Sequence, residues 1–108
     1  MEERKEQLEK SFYANGGEHA TSRAIKTFNN IVDSIKSLQF NDCLVQYTEE
    51  LKKITISLTF GLVDYTIECL EDDERVNCDL FIESEFKGSY CNLLPEEIKI
   101  QIEEDLNF

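Results

Sequence analysis

Four cysteines and one histidine are the side chains of this 108-residue chain best suited to covalent or metal chemistry. Cys43, Cys69, Cys78 and Cys91 form no C-x-x-C pair and have no histidine beside them. Structural zinc needs ligands paired at short spacing, so this pattern speaks against it. His19 follows Gly16-Gly17-Glu18. A Cys–His or Ser–His nucleophile would need a motif around the serine or cysteine, and none is present, so His19 reads as an ordinary loop histidine. Glu71-Asp72-Asp73-Glu74 offers carboxylate oxygens without the alternate spacing or the glycine of a calcium loop, and reads as a solvated turn. Gly16-Gly17 lacks the further glycines, or the lysine, of a phosphate cradle. Carboxylates scattered through the chain define no glycosidase pair. The residues therefore point away from catalysis, and they predict no metal site and no cofactor.

One acidic set is patterned. Asp64 and Glu68 alternate with apolar residues on one predicted strand; Asp79, Glu83 and Glu85 do so on the next, with Phe81 among them. A solvated face is common on antiparallel sheets. What departs from that ordinary case is the sign, because these strands place no Lys or Arg on the same side. Like charges directly opposite on neighbouring strands cost up to about 1 kcal/mol per pair. An acidic face with an aromatic side chain inside it has the composition of a binding patch. We therefore take Asp64, Glu68, Asp79, Phe81, Glu83 and Glu85 as the candidate partner-binding residues.

The elements that must position this set lie between residues 54 and 86. Ile54, Ile56, Leu58 and Phe60 alternate with polar residues, as do Val63, Tyr65, Ile67 and Cys69. Val76, Cys78, Leu80, Ile82 and Phe86 continue the pattern. A period of two is that of a half-buried strand, so the region predicts an antiparallel meander with one apolar and one acidic face. Gly61-Leu62 fits a two-residue hairpin with glycine first, a type II′ turn. That turn pairs Phe60 with Val63, Leu58 with Tyr65 and Ile56 with Ile67. A slip of one residue would turn every side chain to the wrong face. Cys43–Thr48 reads as a further strand ahead of the meander, with Cys43, Val45 and Tyr47 on one side.

Helices flank the strands. Residues 2–13 have acids first and good helix formers after them, with Leu8 and Phe12 sharing a face. The segment is otherwise polar and predicts a surface helix, ended by Asn15-Gly16-Gly17. Thr21 or Ser22 can cap a second helix running to about Leu38. Ile25, Phe28, Ile31, Val32, Ile35 and Leu38 make one stripe on it, which predicts that it covers the apolar face of the sheet. At the end of the chain Leu94-Pro95-Glu96-Glu97 signals a helix start. Ile98, Ile102 and Leu106 then share a face, although residues 98–102 also alternate as a strand would. The start signal favours the helix. The expected fold is thus α+β in a single domain, 1–108: about four antiparallel strands, N-terminal helices packed on one face, and a short C-terminal helix.

The net charge is −12. Residues 1–53 hold eight Lys/Arg against nine Asp/Glu, whereas residues 54–108 hold three against fourteen. The acidic half would repel nucleic acid and anionic membranes, so neither is expected as a direct partner. No run of eighteen apolar residues suggests a membrane span. The first residues, Met-Glu-Glu-Arg-Lys-Glu, contain no apolar leader segment. This leads to the expectation of a cytoplasmic protein with four reduced thiols, monomeric or homodimeric. The partner class expected from the charge is a basic protein, most naturally an enzyme that handles nucleic acid, with carboxylates standing where phosphates normally lie. Small acidic inhibitors made by phages and mobile elements, anti-CRISPR proteins among them, act by this chemistry. An immunity protein or antitoxin against a toxin nuclease uses the same physics on another target. An acidic dimeric secretion chaperone is the third alternative.

Overall fold

The computed structural model describes residues 2–107. Three helices, α1 (Glu2–Ala14), α2 (Ser22–Ile35) and α3 (Pro95–Leu106), pack on one face of a five-stranded antiparallel sheet. Its strands, β1 (Asp42–Thr48), β2 (Lys53–Phe60), β3 (Val63–Leu70), β4 (Val76–Ile82) and β5 (Glu85–Leu93), lie side by side in chain order. The fold is the expected α+β meander, with five strands in place of about four.

The local reasons are legible. Thr21 caps α2, its hydroxyl accepting the Ala24 N–H at 3.0 Å. Phe28, Ile31, Val32 and Ile35 are buried on the α2 stripe, while Ile25 is half-buried at its edge. The helix itself ends at Ile35, and Leu38 is buried just beyond it. α1 contributes more than a surface helix would: Leu8 and Phe12 are fully buried, and Phe12 stacks on Phe28 with ring centroids 4.1 Å apart. Gly16 closes α1 with φ +107°, and a Cβ there would strike the Tyr47 carbonyl, so glycine is required twice over. In α3 the Glu97 carboxylate accepts the Leu94 N–H at 2.8 Å, which fixes the helix start. Ile98 and Ile102 are buried and Ile100 is exposed, which is helical spacing and settles the conflict with a strand.

The β2–β3 register is the expected one: Phe60↔Val63, Leu58↔Tyr65 and Ile56↔Ile67. Gly61 has φ +65° and Leu62 does not share the positive region, as a type II′ turn requires. The meander departs from expectation after Ile82. The alternating run from Val76 to Phe86 is not one strand. Glu83 and Ser84 take φ of +52° and +67°, the pattern of a type I′ turn, and reverse the chain there. β5 then pairs back on β4 as Ile82↔Glu85 and Phe81↔Phe86. Phe86, expected on the apolar face, therefore lies beside Phe81 on the other face and is 57% exposed.

Candidate functional site

Helices cover one face of the sheet, and no element of the described residues covers the other. Alternate residues build this open face: Asp42, Leu44 and Gln46 on β1, Lys53, Thr55, Ser57 and Thr59 on β2, then Asp64, Thr66 and Glu68 on β3. Asn77, Asp79 and Phe81 follow on β4, and Phe86 and Ser89 on β5. Four of the six candidate residues, Asp64, Glu68, Asp79 and Phe81, thus share this surface. The other two do not. Glu83 is in the β4–β5 turn, because the chain reverses there. Glu85 faces Ile82, so its side chain belongs to the opposite side of the sheet, and its carboxylate pairs with Lys87 at 3.1 Å.

The register also corrects the expected like-charge opposition. Asp64 lies opposite Thr59 and Phe81, Glu68 opposite Thr55 and Asn77, and Asp79 opposite Thr66 and Ser89. No acid faces an acid. Each carboxylate instead has a neighbour that donates to it. Thr59 Oγ1 donates to Asp64 at 2.7 Å, Ser89 Oγ to Asp79 at 2.7 Å, and Lys53 Nζ to Glu68 at 3.0 Å. Asp64 and Asp79, each beside a hydroxyl, hold their negative charge in fixed positions at little repulsive cost, whereas the Lys53 ammonium offsets that of Glu68. Beside Asp64, Phe81 and Phe86 meet edge to face with centroids 5.7 Å apart. Phe86, expected in the core, lies on this face instead, since nothing local marks the turn before it.

Two other carboxylates are committed to structure. Glu71, expected in a solvated turn, is 8% exposed. Its carboxylate accepts from the Thr21 hydroxyl and from Tyr47 at 3.3 Å, and Thr27 donates to its main-chain carbonyl at 2.7 Å. Burial and this carboxylate push the Tyr47 hydroxyl above its usual range. Asp72, Asp73 and Glu74 are exposed as expected. They line an open trench of about 520 Å³ whose other wall is Arg23 and Lys26 of α2. On α3, one oxygen of Asp105 accepts from both Tyr65, at 2.8 Å, and Tyr90, at 2.7 Å. That shared bond, with burial, raises Tyr90 to about 12, while burial first and the same carboxylate second raise Tyr65 further.

The cysteines do not converge. Cys69 and Cys78 are buried, Cys43 is half-buried and Cys91 is exposed, all as free thiols. Burial raises Cys69 to about 11 and Cys78 to about 12, which leaves both as inert core groups. His19 is exposed in a single 3-10 turn, Gly17–His19. Among the described residues no cluster of His, Cys, Asp or Glu could hold a metal ion, and no helix is long and apolar enough to cross a membrane.

Comparison with protein-family models, with curated proteins and with solved structures finds no match to this chain.

Proposed function

We propose that this chain is a non-enzymatic binding protein. In this reading it inhibits a basic, nucleic-acid-handling partner by presenting carboxylates where phosphates would lie. The observation that carries the reading is the uncovered sheet face, where Asp64, Glu68 and Asp79 are held by donors of the same sheet beside the Phe81–Phe86 pair. A groove of Lys and Arg would meet fixed negative charge there, and the exposed ring of Phe86 would supply apolar contact that a phosphate backbone lacks. In the wider setting, the net charge of −12 steers such an encounter and opposes association with nucleic acid itself. An anti-CRISPR or other phage-encoded inhibitor is the class that fits this chemistry best.

The test is competition. Immobilised protein is used to retain basic proteins from a cell extract, and the column is developed first with duplex DNA and then with rising salt. The reading expects a retained nucleic-acid-binding protein that free DNA displaces, because both ligands claim one groove. A retained partner indifferent to DNA, held by a salt-insensitive apolar interface, would remove the reading.

A further inference from the structure

A five-stranded open sheet has two edges, and this one treats them differently. On β1, the main-chain groups that point away from β2 belong to Cys43, Val45 and Tyr47. α1 takes those of Val45 and Tyr47. Val45 N–H donates to Ser11 Oγ at 2.7 Å, Ser11 Oγ donates back to the Val45 carbonyl at 3.4 Å, and Tyr47 N–H donates to the Asn15 carbonyl at 2.9 Å. That edge is thus covered by α1 along its centre. β5 has no such cover. Its orientation follows from sheet parity. Val45↔Ile56 leaves the Ile56 groups toward β3, Ile67↔Cys78 leaves the Cys78 groups toward β5, and Cys78↔Tyr90 ties Tyr90 inward. Ser89, one residue earlier, therefore sends its N–H and carbonyl outward. Among the described residues no group from another element meets them.

The chemistry of this edge is unlike the rest of the acidic half. β5 carries one acid and one base, Glu85 and Lys87, and these pair with each other. Its remaining residues are uncharged. In a molecule of charge −12, a neutral strip with open main-chain groups fits a second molecule of equal charge better than it fits a basic partner. We propose that β5 pairs antiparallel with β5 of a second copy, about a twofold axis at Ser89. Ser89 N–H of each copy then donates to the Ser89 carbonyl of the other. The pairing keeps Ser89 on the open side of both sheets. It joins two acidic faces into one ten-stranded surface. Register shifts near Lys87 and Asn92 bound the strip, so the contact is short and the dimer reversible.

The test is sedimentation velocity from about 1 to about 500 µM, with two substitutions at one residue. Ser89→Ala removes the side-chain bond to Asp79 and keeps the N–H, so the dimer should persist. Ser89→Pro removes the outward N–H, which an edge strand tolerates, and should weaken association at least about tenfold. Association should tighten as salt rises, because salt screens the repulsion between copies. If Ser89→Pro fails to fold by circular dichroism, cross-linking decides. In a Cys91→Ser background, Ser89→Cys should oxidise to a covalent dimer far faster than Leu44→Cys, since directly paired residues across such a ladder sit within disulfide reach. A monomer across the whole concentration range, a Ser89→Pro dimer as tight as the parent, association weakened by salt, or equal cross-linking at positions 89 and 44 would each overturn the proposal.

Discussion

Replacing Asp105 with alanine separates the two forces that act on α3. Asp105 lies in the last turn of the helix, where the negative end of the dipole disfavours an acid by about 0.3–1 kcal/mol. Alanine is also the better helix former. On helix physics alone the substitution should stabilise the protein. The structure argues the reverse. Asp105 Oδ2 accepts from Tyr65 and Tyr90, and Tyr65 is fully buried. Without the carboxylate, the Tyr65 hydroxyl has no acceptor in a site that water does not reach freely. An unsatisfied buried hydroxyl costs about 1–3 kcal/mol. Tyr90 is partly exposed and finds water instead, so its loss adds little. The expected net cost is about 1–2 kcal/mol, or roughly 4–15 °C in Tm for a domain of this size. Urea denaturation measures it, with Glu104→Ala as the control for charge and helix propensity. Absorbance near 295 nm provides a second readout: Tyr90, held up at about 12, should titrate closer to 10 in the variant. A variant as stable as Glu104→Ala, with an unchanged tyrosine titration, would refute the assignment of Asp105 as the acceptor that docks α3.

The other expectations concern the core, the covered edge and alkaline pH. Ile56→Ala and Ile67→Ala should each cost about 2–5 kcal/mol, and Thr55→Ala and Thr66→Ala far less, by urea denaturation; the reverse order would mean the faces of the sheet are misassigned. Ser11→Ala leaves Val45 N–H without its partner and should cost about 1 kcal/mol, with faster aggregation on heating because β1 becomes an open edge. Cys69 and Cys78 keep their protons to about 11 and about 12 when folded but ionise from 9.0 when unfolded. Because the folded values are raised, stability is complete below pH 9 and falls above it, by up to about 1.4 kcal/mol per pH unit for each thiol. Double replacement with alanine should flatten that decline in denaturation curves between pH 8 and 11.

Local periodicity carried much of the fold. The stripe of α2 and the strict alternation of β2 and β3 each specify one element and one face, and Gly61 fixes the register between two of them. The β4–β5 turn left no such mark. It is formed by Glu83-Ser84, neither of them glycine nor asparagine, inside a run whose apolar residues keep alternating through the reversal. The cost of two positive φ values is absorbed by the strands on either side, which is not written in the turn itself. β5 was hidden for a related reason: irregular pairing near Lys87 and Asn92 breaks the period of two. The same turn moved Glu83 and Glu85 off the acidic face and put Phe86 onto it. Glu71 and Asp105 were illegible because their partners are remote in sequence. Thr21 and Tyr47 meet Glu71, and Tyr65 and Tyr90 meet Asp105, only once the chain has folded.

The claim that the open face is the binding site is tested most directly by calorimetry on two charge-reversed proteins. Asp64→Lys with Asp79→Lys alters the open face, and Glu3→Lys with Glu6→Lys alters exposed positions on α1. Each pair changes the net charge by the same amount, so a diffuse field would treat them alike. Titrated with the basic partner at low and at high salt, the face variant should lose at least about tenfold more affinity than the α1 variant, and the gap should narrow as salt rises. Equal losses from the two variants would contradict the account and place the partner elsewhere on the molecule.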